Sequence, residues 1–474
     1  MQRITFGTSG WRGIMCEDFI FENVKVVTQA IADNVKASGE AGKGIIVGYD
    51  SRFMGEAFAR EAVRVLAGAG IKSFLCMRDT PTPVISFEIL RRKTAGAINF
   101  TASHNPPEYN GIKWSPSSGG PALPETTRDI ERRANEMAGE VCYKELSLED
   151  AKRSGLLEEI DPMQYYLEDL SGKVDFKAIA RLGIIAVNPL YGTGRGYLAE
   201  PLKAHGADVV QINAHRDPYF GGFPPEPSEK YIQDFIKLVR HDPGIMLGIS
   251  TDGDADRFGI VDRDGSFIEP NYIIALLLDY LVRVKKMTGG VARSVATSHL
   301  VDAVAKKHGI QVFETPVGFK YIGELIGQDK IIIGGEESAG LTIKGHVPEK
   351  DGILACLLTA EMVAHEGKPV KELLERLYSE VGRYLTKRIN LTLSPELESV
   401  FPERIAATPT SFAGVAVKER ITVDGNKFLL ADGSWLLFRK SGTEPVVRLY
   451  CEAASEDRLQ ALVQAGREFI LGKE

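Results

Sequence analysis

The chain has 474 residues, of which 44% are apolar and 26% charged, and its formal net charge is −7. This is the make-up of an ordinary globular protein, and it excludes a disordered, collagen-like or coiled-coil chain; the length predicts roughly three domains. An acidic balance without a long Lys/Arg block excludes a protein that tracks duplex phosphates, so a phosphate ligand would have to be held by local basic loops.

Short β-type runs alternate with helical spacing through most of the chain. Strands are predicted at Ile45 to Asp50, Ile71 to Met77, Ala95 to Phe100, Gly183 to Val187, Ala207 to Ile212, Ile245 to Ile249, Ser294 to Thr297, Ile310 to Glu314 and Ile331 to Gly334. Helical patterns lie between them, as at Met54 to Leu66, Gly196 to His205, Lys230 to Arg240 and Val301 to His308. The alternation predicts parallel or mixed sheets covered by helices. A strand running into Thr-Pro occurs twice, at Ser73 to Pro81 and Gln311 to Pro316, which suggests repeated units. The charged stretch Glu140 to Glu159 reads as a helix and linker after a first domain. From Leu385 alternating runs and a last helix, Glu456 to Ile470, read as a small α+β domain.

Five cysteines, at 16, 76, 142, 356 and 451, are odd in number and form no C-x-x-C; they read as reduced, buried thiols. The N-terminus lacks a signal pattern. The longest apolar run, Ile273 to Val282, is broken by Asp279 and is too short to span a bilayer. A soluble, cytoplasmic chain with neither membrane nor nucleic-acid partners is expected.

Four loops carry chemistry, each where a strand ends, and open α/β sheets bind ligands there. Thr101-Ala-Ser103-His104-Asn-Pro106 puts a serine on a Pro-bounded loop with Lys113 ten residues on. A serine hydroxyl is a weak nucleophile unless activated; adjacent side chains usually point apart, so a Ser103–His104 dyad is not expected, and an Asn-Pro turn with local caps accounts for the bare motif as well. Asp252-Gly-Asp254-Ala-Asp256-Arg257 brings three carboxylates together after a buried strand, which calls for a hard divalent cation. A calcium-hand loop is excluded, because Arg257 and Arg263 stand where Gly and Glu are needed. Gly335-Glu336-Glu337-Ser338 offers carboxylates and a hydroxyl on a flexible loop, suited to sugar hydroxyls or to an ordinary turn. Arg439-Lys-Ser441-Gly442-Thr443-Glu-Pro-Val-Val-Arg448 is either a compact oxyanion cradle or a charged hairpin. Gly7 to Gly13, with Arg12, has similar chemistry. No nucleotide P-loop, G-x-G-x-x-G, G-x-S-x-G or H-E-x-x-H is present.

Together these loops resemble the α-D-phosphohexomutase family, in the family's order and over nearly the whole chain. The resemblance implies an α/β, heart-shaped architecture of four domains, three related α/β domains and a smaller α+β C-terminal one, expected here at 1–145, 160–258, 259–375 and 384–474. It implies a phosphoryl group carried by Ser103, Mg²⁺ held by Asp252, Asp254, Asp256 and the Ser103 phosphoryl, and Arg12, His104, Lys113 and Arg257 around the reacting group, with Lys113 handling a proton. Glu336 and Ser338 would contact sugar hydroxyls. Arg439, Ser441, Gly442, Thr443 and Arg448 would clamp the non-reacting phosphate, and a hexose 1,6-bisphosphate would be both intermediate and activator. Mannose and glucosamine types usually show G-E-x-S-G-H, where this chain has Ala339-Gly340. Its Glu349-Lys350-Asp-Gly352 and Thr315-Pro-Val-Gly318-Phe-Lys320 are similar to segments of the glucose enzymes. That implies glucose phosphates, with Gly318, Lys320 and Lys350 near the sugar. The alternatives are phosphomannomutase or dual specificity, and, behind these, a metal-dependent sugar phosphatase or a non-catalytic sugar-phosphate binder.

Overall fold

The structure is a computed structural model that describes residues 3–7, 10–137, 143–406, 408–440 and 446–472. Among these residues the strands form four sheets. The first contains β1 (Trp11–Ile14), β2 (Ile45–Tyr49), β3 (Ser73–Cys76), β4 (Gly96–Phe100), β5 (Tyr109–Pro116) and β6 (Leu157–Ile160), in the order β1-β5-β4-β2-β3-β6. The second contains β7 (Ile184–Asn188), β8 (Asp208–Gln211), β9 (Ile245–Thr251), β10 (Phe258–Asp262) and β11 (Phe267–Ile268), in the order β11-β10-β9-β7-β8. The third contains β12 (Gly290–Ser294), β13 (Val312–Thr315), β14 (Ile331–Glu336) and β15 (Gly340–Ile343), in the order β13-β12-β14-β15. The last is antiparallel throughout: β16 (Leu385–Thr392), β17 (Ser411–Phe412), β18 (Val415–Ile421), β19 (Asn426–Leu430), β20 (Trp435–Lys440) and β21 (Val446–Ala453), with the helix Glu456–Leu471 packed on it.

The first three sheets share one plan. Three consecutive strands lie parallel and a fourth returns antiparallel beside the third, as in β2-β3-β4-β5, β7-β8-β9-β10 and β12-β13-β14-β15. The Thr-Pro echo belongs to this repeat: it follows the second strand of the set in the first and third sheets, just before the helices Thr82–Arg92 and Phe319–Gly327. Strands β2, β4, β10, β12, β14 and β15 are buried at every residue, as sheets covered on both faces require. The second and third units share one core around the helices Pro270–Arg283 and Gly352–Glu366, while the first and last keep their own.

Several expectations need correction. Glu140 to Glu159 is not only helix and linker: after the helix Leu148–Arg153, β6 adds an edge strand to the first sheet beside β3. The sequence hid it because only Leu157 and Ile160 of its four residues are buried. A first domain ending at 145 therefore omits part of its own sheet. The boundary at 258 falls on the first residue of β10, and the second sheet continues to Ile268. A third unit ending at 375 would cut the helix Val370–Val381. Of Ser294 to Thr297, only Ser294 is strand, as the last residue of β12; residues 295–297 form the turn that follows it. Of the cysteines, 76, 356 and 451 are buried, Cys16 is exposed, and Cys142 lies outside the described residues. No helix among the described residues is long and apolar enough to cross a membrane.

The Ser73 and Met77 amides donate to the carbonyls of Leu156 and Ile160 across β6. Native-state hydrogen exchange should find both amides protected together with β2 and β4; fast exchange at both would detach β6 from the first domain.

Candidate active site

Three of the four expected loops occupy one topological position, the connection from the third to the fourth strand of each unit: residues 101–108, 252–257 and 337–339. In the first, Ser103 has a left-handed backbone (φ 51°). Its amide donates to Thr101 Oγ1 at 2.8 Å, and its hydroxyl donates to Asp252 Oδ2 at 2.9 Å. The left-handed turn also brings Ser103 Oγ to 3.2 Å from His104 Nδ1, so the two side chains do meet, against the expectation from sequence. Burial, then Arg257 and Arg12, push the His104 imidazole well below its usual range, so it is neutral near pH 7.

The loop is held from beneath by Arg52, which is fully buried. Its Nε donates to Asp50 Oδ2, Nη1 donates to the carbonyls of Pro106 and Tyr109, and Nη2 donates to those of Ser103 and Asn105. Arg12, on β1, reaches in from the side and donates to Asn105 Oδ1 at 2.5 Å.

Asp252, Asp254 and Asp256 are buried, and one oxygen from each lies within 4.8 Å of the others. One oxygen of Asp254 accepts from Thr82 Oγ1 and Lys113 Nζ, both at 2.6 Å. One oxygen of Asp256 is met by Lys113 at 3.1 Å and Lys350 at 2.9 Å. The Arg257 amide donates to Asp252 Oδ1 at 3.0 Å. The second oxygens of Asp254 and Asp256 are buried with no hydrogen-bond partner. Buried carboxylate oxygens without donors suit a hard cation, so the residues fit the divalent ion that the sequence implies. Burial and its two neighbours raise Asp252 well above the carboxylate range. For Asp256 the opposing burial is outweighed by Lys113, Lys350 and Arg257, which hold it down. Burial alone would lower Lys113, but Asp254 and Asp256 raise it; its ammonium balances the carboxylates.

A cavity of about 350 Å³ opens above this cluster. Arg12, His104, Asn105 and Arg257 line it from the first two units, and Gly318, Lys320, Glu336, Ser338 and Lys350 from the third. The C-terminal domain contributes Arg388, Arg439, Arg448 and Tyr450. The Glu336 segment is not a flexible loop: Glu336 ends β14, is buried, and accepts from the Gly318 amide at 2.7 Å. Burial and the neighbouring Glu337 push its carboxyl up to about 7. Arg439 stands directly opposite Arg448 across β20 and β21. Ser441, Gly442 and Thr443 lie outside the described residues.

Comparison with known proteins gives the family. Models of phosphoglucomutase/phosphomannomutase alpha/beta/alpha domains I, II and III match residues 3–139, 164–265 and 269–381, and the C-terminal domain model matches 396–468. A phosphoglucomutase/phosphomannomutase of Thermococcus kodakarensis is 31% identical over 98% of each chain. The chain belongs to the phosphohexomutase family. Another relative, from Methanosphaera stadtmanae and named for phosphoglucosamine mutase, is 29% identical over 98% of each chain. A Thermus thermophilus crystal structure described under the name phosphomannomutase has a TM-score of 0.85 at 33% identity, covering 99% of both chains.

Three residues of this phosphohexomutase site were missed from sequence. Arg52 announces itself only as Asp50-Ser-Arg52 after a buried strand, without the three carboxylates that flagged Asp252 to Arg257. Glu226 lies 3.9 Å from Arg257 Nη1 and lines the cavity, but its Pro-rich loop carries no recognisable pattern. Arg388 on β16 lines the cavity and a neighbouring one of about 580 Å³; in sequence it is one charge in an alternating strand.

Arg52→Lys keeps the charge but cannot span five acceptors; it should cost about 2–5 kcal/mol, read as a lower thermal midpoint, and lower turnover with it. Glu336 holds its proton to about pH 7, whereas an unfolded glutamate releases it near 4.5. That proton stabilises the fold fully below the ordinary glutamate range, and the contribution is lost as pH rises through about 7. Thermal midpoints of the wild type relative to Glu336→Gln should therefore fall between pH 5 and 8 (roughly the window between the two states' titrations); a flat difference would contradict the assignment.

Proposed function

We propose that this phosphohexomutase interconverts hexose 1-phosphate and hexose 6-phosphate, with glucose phosphates as the main substrate, through a phosphoserine at Ser103 and a hexose 1,6-bisphosphate. The observation that carries this proposal is the placement of Ser103 Oγ on Asp252 at 2.9 Å, beside a cavity whose C-terminal-domain wall bears the opposed Arg439 and Arg448. One site for the transferring phosphoryl and another for a second phosphate is what a mutase needs; a hydrolase needs only the first.

In this mechanism the bond from phosphorus to Ser103 Oγ breaks as the free hydroxyl of the bound monophosphate attacks. The bisphosphate then turns in the site and returns its other phosphate to Ser103. His104 Nδ1, at 3.2 Å from the serine oxygen, is the group placed to exchange a proton there. Lys113 is better explained as a charge on Asp254 and Asp256 than as the proton carrier expected from sequence. Asp252, Asp254 and Asp256 would hold a divalent cation, taken as Mg²⁺ from its oxygen donors, which when bound supplies charge neutralisation to the phosphoryl oxygens. Glu336 and Ser338 would grip sugar hydroxyls in either orientation, while Arg439 and Arg448 hold the resting phosphate.

Support for glucose comes from Ala339-Gly340 and from the two segments around Lys320 and Lys350. A dual mannose and glucose specificity is the second proposal, favoured by the name of the Thermococcus kodakarensis relative. Side-by-side kcat/KM values for glucose 1-phosphate, mannose 1-phosphate and glucosamine 1-phosphate should rank glucose first; glucosamine leading would overturn the preference. Ser103→Ala should lower turnover by about a thousandfold or more, and near-normal activity would remove the phosphoserine role. Release of inorganic phosphate in place of isomer would favour a phosphatase.

A further inference from the structure

The last residue of β12 and the turn after it, residues 294–299, touch two working parts at once. On one side Ser294 Oγ donates to Glu337 Oε2 at 2.8 Å, and the Glu337 amide donates to Thr297 Oγ1 at 3.2 Å. Glu337 opens the connection that carries Ser338. On the other side the turn receives three buried side chains of the C-terminal sheet. Glu452 accepts from Ser298 Oγ, from the His299 amide at 3.1 Å and from Trp435 Nε1 at 2.6 Å. Lys427 donates to the Val295 carbonyl at 2.9 Å, lies 2.8 Å from His299 Nε2, and sits 4.1 Å above the Trp435 ring.

A second tie lies nearby. Asp424 Oδ2 accepts from Arg439 Nε at 2.9 Å and from the Val317 amide at 3.0 Å. The next amide, that of Gly318, is the one that donates to Glu336. Strand alternation puts Glu452 on the same face of β21 as Arg448, and Trp435 on the same face of β20 as Arg439. The anchors and the two arginines therefore move together. The apolar contacts of this interface, Val295 and Ala296 against Trp435, Leu437 and Tyr450, would tolerate sliding. The Glu452 carboxylate and Lys427 ammonium are satisfied in one docking position only, because a small displacement leaves buried charges unpaired.

We propose that the 294–299 turn and Asp424 join the sugar-contact segment and the Arg439–Arg448 pair into one unit, with Glu452, Lys427 and Asp424 as positioning residues for the non-reacting phosphate. This rests on the mutase function proposed above. The C-terminal domain's docking position is then set by the same residues that orient Glu336 and Ser338, so the separation between sugar site and phosphate site is built into the interface.

The test uses full-length Asp424→Asn and Glu452→Gln with the hexose 1-phosphate that the wild type turns over fastest. Both variants should raise KM roughly tenfold or more while kcat stays within about threefold. Phosphorylation of Ser103 by glucose 1,6-bisphosphate at saturation, read by intact mass, should reach the wild-type extent. A merely structural defect would lower kcat and the phosphorylated fraction together. Glu452 is buried and its variant could fail to fold; Asp424 is partly exposed, so a folded Asp424→Asn enzyme with KM within about twofold of wild type overturns the inference by itself. Wild-type protein that turns over none of the three sugar phosphates overturns the mutase proposal, and this inference with it.

Discussion

Arg52 is the constraint on which the site depends. Its five N–H groups meet one carboxylate and four backbone carbonyls, and the four carbonyls belong to the segment from Ser103 to Tyr109. A loop with a left-handed serine stores strain that its own residues do not relieve. The guanidinium fork supplies a rigid template for that backbone shape, and burial makes each bond costly to lose. With the carbonyls fixed, the Ser103 hydroxyl sits between Asp252 of the neighbouring unit, at 2.9 Å, and His104 Nδ1, at 3.2 Å. Asp50 and Arg52 are both fully buried, and that burial pushes the Asp50 carboxyl up to about 6 in spite of Arg52.

The repeat in the fold explains why the chemistry gathers in one place. In all three α/β units the connection from the third strand to its antiparallel partner is short and emerges at the carboxyl end of a buried strand. One unit uses it for a serine, the next for three aspartates, the third for a glutamate and a serine. Lys113 and Lys350 cross between units to meet the aspartates, so the cluster's charge balance exists only when three units are assembled. The C-terminal sheet then adds the arginines that the repeat does not provide.

Much of this was legible in the sequence, for physical reasons that apply unevenly. Buried parallel strands such as Ile45–Tyr49 and Ile331–Glu336 declare themselves as apolar runs, and three carboxylates at alternate positions have few explanations other than a cation. Strand β6 was not legible, because an edge strand with two buried residues looks like a charged linker. The contact of Ser103 with His104 was hidden because a positive φ on a serine leaves no trace in residue types. Arg52, Glu226 and Arg388 were missed since single charges act here through tertiary placement. The polar joint around Glu452 is scattered over residues 295–299, 427, 435 and 452, and only the fold brings them together.

In the proposed mechanism Ser103 carries the phosphoryl group between the two ends of the sugar. Residue-resolved phosphopeptide mapping of the wild-type protein, after incubation with glucose 1,6-bisphosphate and Mg²⁺ and rapid quenching, tests it directly. The phosphoryl group should be found on Ser103 and should disappear when excess hexose monophosphate is added and the bisphosphate is removed. A phosphoryl group on another residue, or none on the protein while isomerisation proceeds, would rule out this role of Ser103.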